Sequence, residues 1–124
     1  MLVIVDYKAG NLKSVERACR EVGEEAEISG DPEKIRQASR LIFPGVGAAG
    51  AAMASLQETG IDEAIREFFN LGRPVLGICL GLQISLNYSE ENQTKTLDLI
   101  SGEVKKFRLK ETGLKIPHMG WNTV

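Results

Sequence analysis

A doubly wound α/β fold on a mostly parallel sheet is predicted by three features of this sequence. Short, continuously apolar runs suited to central parallel strands alternate with amphipathic helical stretches. Turn-forming residues punctuate them: Gly23, Asp31-Pro32 and Gly72-Arg73-Pro74. One apolar run ends in a cysteine set between two glycines, where strand gives way to helix. Crossovers between such strands are right-handed.

Residues 2–7 form the first apolar run. A helix follows with Leu12, Val15, Cys19 and Val22 along one face, which puts Cys19 in the core. Gly23 closes that helix as a C-cap candidate. A short strand is expected over residues 26–29. Asp31 is then the N-cap of a second helix, with Pro32 at its first position. Residues 41–43 make a third strand. Residues 51–57 are helical, and Ile61, Ala64, Ile65, Phe68 and Phe69 mark another amphipathic helix. Gly72-Arg73-Pro74 breaks it and feeds a buried strand over residues 74–78, followed by a helix over residues 80–87. Beyond Asn87 the pattern changes. Residues 89–96 read as a polar surface loop, and residues 102–107 and 114–116 as exposed antiparallel strands.

The chain has 124 residues, 43% hydrophobic and 26% charged, which fits one ordinary globular domain spanning residues 1–124. A net charge of −2, with acids and bases interspersed, gives no argument for nucleic acid or an anionic membrane as partner. Cys19 and Cys79 show no disulfide or zinc spacing, and His118 is the one histidine, so no metal or other cofactor is expected. The N-terminus runs straight into a strand, without a signal peptide or membrane span, and a cytoplasmic location is expected.

Gly77-Ile78-Cys79-Leu80-Gly81 has the form of a nucleophile elbow with sulfur in place of oxygen. The flanking glycines let strand and helix approach closely. The corner presents Cys79 as an exposed thiol at a helix N-terminus, where the dipole favours thiolate. The competing reading is a buried structural cysteine. A second motif, Gly45-Val46-Gly47-Ala48-Ala49-Gly50, matches a dinucleotide-binding fingerprint. It follows the third strand, however, and Pro44 precedes it. If the third and fourth strands are neighbours, their carboxyl ends open onto one crevice. The glycine-rich backbone then supplies N–H donors for an oxyanion, with the Leu80 N–H as a further donor. Together the two motifs make a site for acyl transfer through a thioester.

Gly77-Ile78-Cys79-Leu80-Gly81-Leu82-Gln83 resembles the nucleophile motif of class I, triad-type glutamine amidotransferases. The wider set runs in order through the chain. It comprises Asp6-Tyr7-Lys8-Ala9-Gly10-Asn11, Pro44-Gly45-Val46-Gly47, the elbow, Ser89-Glu90-Glu91 and Pro117-His118-Met119-Gly120-Trp121-Asn122. This set is similar to the glutaminase subunits that serve imidazole glycerol phosphate synthases in histidine biosynthesis. The resemblance implies a flavodoxin-like sheet and hydrolysis of glutamine to glutamate and ammonia, the ammonia passing to a cyclase subunit. It further implies Cys79 as nucleophile, with Val46, Gly47 and Leu80 forming the oxyanion hole. Gly47, Gln83 and Glu91 would bind substrate, and Asn11, His118, Trp121 and Asn122 would lie towards the cyclase. Trp121 as a half-buried core residue is the other reading.

The same resemblance matches His118 to the interface motif, not to the triad base. The family's triad His and Glu fall in a later segment that these 124 residues do not contain. The chain alone is therefore expected to lack activity, and its core to be exposed along one sheet edge. Lys8 stands where the family usually carries glycine. Alternatives left open are another class I subunit, serving aminobenzoate or anthranilate synthesis, a noncatalytic redox or binding module, and a nucleotide-binding domain using Gly45 to Gly50.

Overall fold

The computed structural model describes residues 1–109 and 113–123. Strands β1 (Leu2–Val5), β2 (Ala26–Ser29), β3 (Arg40–Phe43) and β4 (Val75–Gly77) form a parallel sheet in the order β2-β1-β3-β4. The predicted α/β class is observed, with β3 and β4 side by side. The helices are α1 (Leu12–Glu21), α2 (Pro32–Gln37), α3 (Ala49–Thr59), α4 (Ile61–Asn70) and α5 (Leu80–Ser85). Local chemistry sets several of their ends. The Asn11 side chain accepts from the Ser14 N–H, and Asp31 accepts from the Glu33 N–H at 2.9 Å ahead of Pro32.

Strand alternation sorts the core onto two faces. Val3, Val5, Leu41 and Phe43 pack with Ile35, Leu56, Ile65, Phe68, Leu80 and Ile84. Leu2, Ile4 and Ile42 pack beneath α1 against Cys19, which is buried as predicted. Val22 does not join this stripe. The helix ends at Glu21, and Val22 is its cap residue, 76% exposed, with Gly23 turning the chain at φ 80°.

The buried strand expected at residues 74–78 is a correction. Leu76 is 56% exposed and Ile78 40%. Register places Leu76 beside Ile42, on the α1 face, but β4 is the outer strand and the cluster beneath α1 stops at Ile42. Val75, on the other face, does pack against the main core.

Residues 89–96 are a second correction. They take in the end of β5 (Tyr88–Ser89), a 3-10 turn (Glu91–Gln93) and β6 (Thr94–Lys95), and Ser89 and Thr96 are buried. The segment folds back on α5: the Leu97 N–H donates to the Ile84 carbonyl at 2.8 Å, and Leu97 enters the core. A small sheet of order β6-β5-β7 results, where β7 is Glu103–Val104. Antiparallel pairing late in the chain occurs, but between β5 and β6, whereas β7 runs parallel to β5. Residues 114–116 form no strand, and Leu114 and Ile116 are exposed.

Lys8 has φ 65°, the left-handed region that costs a side-chain-bearing residue about 1–2 kcal/mol. Its N–H donates to Asp6 Oδ1 at 3.0 Å, closing a tight turn. The turn thus keeps a glycine-type backbone with lysine in place. Lys8→Gly should raise stability by about 0.5–1 kcal/mol, strain relief outweighing the added chain entropy. Denaturant unfolding checks this; an unchanged or lower midpoint contradicts it.

Candidate active site

The carboxyl ends of β3 and β4 lie together because Phe43 pairs with Gly77. From Phe43 the chain passes through Pro44-Gly45-Val46-Gly47-Ala48 into α3. From Gly77 it passes through Ile78 and Cys79 into α5. The Ile78 N–H donates to the Phe43 carbonyl at 3.0 Å, the last tie between the two strands before they diverge. Gly81 packs on that same carbonyl so closely that a Cβ there would sit 1.8 Å from the Phe43 oxygen. Glycine at this position is what lets α5 start directly against β3.

Cys79 is the N-cap residue of α5, with φ 54° and ψ −116°, and it is exposed. A non-glycine residue in this conformation is strained by roughly 1–3 kcal/mol, and such strain clusters at functional corners. The exposure removes the reading of Cys79 as a buried structural cysteine. Leu80 opens α5, so its N–H has no intrahelical acceptor. The Gln83 N–H donates to the Cys79 carbonyl at 3.0 Å, which sets the Gln83 side chain one turn along the same helix face.

On the β3 side, Pro44 and Gly45 are buried while Val46 and Gly47 are exposed. Gly47 has φ 109°, a backbone that side-chain-bearing residues rarely adopt. Among the described residues, no hydrogen bond engages the Val46 or Gly47 N–H. These donors and the Leu80 N–H are chemically fit to receive a developing oxyanion.

Glu91 has a partner that sequence reasoning missed. Its Oε2 accepts the Ala49 N–H at 3.0 Å, and Asn92 Oδ1 accepts the Gly50 N–H at 3.2 Å. Ala48 offers α3 no side-chain cap, so these two residues supply it from the far side of the sequence. A carboxylate at a helix N-terminus also meets the positive end of the dipole. The arrangement counts against the dinucleotide reading, because the Ala49 and Gly50 donors at the start of α3 already hold the Glu91 carboxylate and the Asn92 amide oxygen. Neighbouring Glu90 ties down the C-terminal arm, accepting the Lys106 N–H at 2.9 Å beside Arg108. That backbone hydrogen bond, helped by nearby Arg108 and Lys105, holds its carboxyl below the usual range.

The other predicted residues lie on the first loop and on the C-terminal arm. Asn11 is exposed and caps α1. Asn122 Nδ2 lies 2.8 Å from His118 Nε2, on the arm that follows β7. His118 borders a surface cavity of about 540 Å³ with Phe107, Leu109, Pro117 and Met119, and none of its lining belongs to the elbow or the glycine loop. Trp121 is fully exposed, which removes its reading as a half-buried core residue.

The family model described as glutamine amidotransferase class-I matches residues 3–124. The imidazole glycerol phosphate synthase subunit HisH of Nitratidesulfovibrio vulgaris (strain DP4) is 52% identical, the match covering all of this chain and 61% of that protein. HisH of Sulfurimonas denitrificans is 49% identical over 98% of this chain and 60% of its own length. HisH of Bacteroides thetaiotaomicron is 45% identical over 99% of this chain and 61% of its own. The chain thus spans about three fifths of the length of these curated relatives. Among solved structures, a glutamine amidotransferase superposes with TM-score 0.70 at 19% identity, covering 82% of this chain and 54% of that one. A putative peptidase E protein from Listeria monocytogenes gives TM-score 0.66 at 15% identity, covering 80% and 62%. These two likenesses support the fold. Among the described residues no helix is long and apolar enough to cross a membrane.

Proposed function

We propose, from the premise that this chain belongs to the class-I glutamine amidotransferase family, that it carries the nucleophile and oxyanion hole of a glutaminase. In this reading glutamine is hydrolysed to glutamate and ammonia, and the ammonia passes to the cyclase subunit of an imidazole glycerol phosphate synthase in histidine biosynthesis. The observation that carries the reading is the exposed, strained Cys79 at the end of β4, next to the strand end that feeds the glycine loop with its unengaged Val46 and Gly47 amides.

The Cys79 thiolate attacks the carboxamide carbon of glutamine, forming a C–S bond while the carbonyl oxygen takes up negative charge. The N–H groups of Leu80 and of Val46 or Gly47 receive that charge. Ammonia leaves with a returned proton, and water then cleaves the thioester to release glutamate. Gln83 and Glu91 hold the polar groups of glutamine, with one Glu91 oxygen kept on the Ala49 N–H. The general base and its orienting carboxylate come from outside the described residues, so turnover by this chain alone is not expected. Asn11, His118, Trp121 and Asn122 face the cyclase in a cytoplasmic heterodimer.

Intact mass spectrometry after treatment with an electrophilic glutamine analogue tests the reading. One adduct on Cys79, suppressed by excess glutamine, supports it; labelling that glutamine does not slow, or that falls equally on Cys19, contradicts it. Gly47→Val should cut the labelling rate about tenfold or more, since valine cannot keep φ 109° beneath the oxyanion. An unchanged rate would show that the glycine loop does not line the site.

A further inference from the structure

The glycine loop is gripped at its far end by Glu91 and Asn92. Its near end is gripped by a residue that none of the assigned roles includes. Tyr7, just beyond β1, is buried to 1% exposure, and its hydroxyl donates to the Pro44 carbonyl at 2.9 Å. The fit around it is tight. A Cβ on Gly45 would lie 2.0 Å from the Tyr7 hydroxyl oxygen, so glycine is required where the phenol passes beneath the loop. The ring is fixed independently, packing at 5.3 Å and 56° against Phe43, and the Tyr7 carbonyl accepts the Ser55 hydroxyl at 2.8 Å. Between the two grips only Val46, Gly47 and Ala48 span the loop, and Gly47 has no neighbour within 4 Å of a Cβ position.

We propose that Tyr7 is a positioning residue: its hydroxyl pins the Pro44–Gly45 peptide and so sets where the Val46 and Gly47 amides stand relative to Cys79. The phenol suits the task chemically. Burial, and secondarily the charge of a Cys79 thiolate, push its ionisation well above the ordinary tyrosine value. It therefore remains a protonated donor throughout the pH range in which a thiolate forms. This inference rests on the proposed glutaminase reading for its consequence, but the pin itself does not.

The test is Tyr7→Phe in the same 124-residue chain, which keeps the ring on Phe43 and removes the hydrogen bond. Two reagents label Cys79: the chloromethyl ketone analogue of glutamine and iodoacetamide. In each the thiolate displaces halide and a C–S bond forms, but only the ketone gains from an oxyanion hole. The ketone rate should fall about tenfold or more while the iodoacetamide rate holds. Equal rates in wild type and variant, or an equal fall with both reagents, would overturn the positioning role. Backbone amide resonances decide the pin without reference to glutamine: those of Gly45, Val46 and Gly47 should shift in the variant, and their constancy would overturn it. Absence of glutamine protection in the wild type together with shifted amides would sink the glutaminase reading and leave the pin standing.

Discussion

Gly81→Ala is expected to lower stability by about 3 kcal/mol. The added methyl would meet the Phe43 carbonyl oxygen at 1.8 Å, with the Phe43 carbonyl carbon at 2.6 Å and the Pro44 carbonyl carbon at 3.3 Å. All are backbone atoms, so no side-chain rotation relieves the contact. The same carbonyl accepts the Ile78 N–H, and moving it breaks the tie between β3 and the elbow. Chemical denaturation reads the loss, and Cys79 labelling should fall with it because α5 no longer starts against β3. A cost below 1 kcal/mol would mean that the close approach at Gly81 is not what builds this corner.

Cys79→Gly should do the opposite to stability while removing all labelling at this position. Glycine accepts φ 54° and ψ −116° without the strain that cysteine bears there. Relief of roughly 1–3 kcal/mol, less the 0.5–1 kcal/mol that glycine adds in chain entropy, leaves a gain of about 1 kcal/mol. Cys79→Ala is the control: it removes the sulfur, keeps the strain and leaves stability near that of the wild type. The unfolding midpoints of the three proteins should rank glycine above cysteine and alanine. A large loss in either variant would instead show that the Cys79 side chain supports the fold.

What could be read from the sequence was local. The apolar runs of β1 and β3, the Asp31-Pro32 start of α2 and the glycines of the elbow announce themselves within a few residues. Cys19 was legible because helical spacing alone puts it on the inner stripe. The exposure of Leu76 was not, because it depends on how far across the sheet α1 reaches, which periodicity within β4 cannot express. Nor was the α3 cap: Ala49 and Glu91 are 42 residues apart, and nothing near Ala48 signals the partner. In the sequence Tyr7 is the end of an apolar run, and its place beneath Gly45 emerges only when β1 and β3 are neighbours. Residues 89–96 misled by polarity, since Ser89 and Thr96 are buried where the segment returns over α5.

A crystal structure of this chain carrying the Cys79 adduct of the ketone analogue tests most directly whether elbow and glycine loop form one site. The ketone-derived oxygen should lie within about 3 Å of the Leu80 N–H and of the Val46 or Gly47 N–H, with Tyr7 still on the Pro44 carbonyl. An oxygen turned to solvent, with both loop amides out of reach, would contradict it.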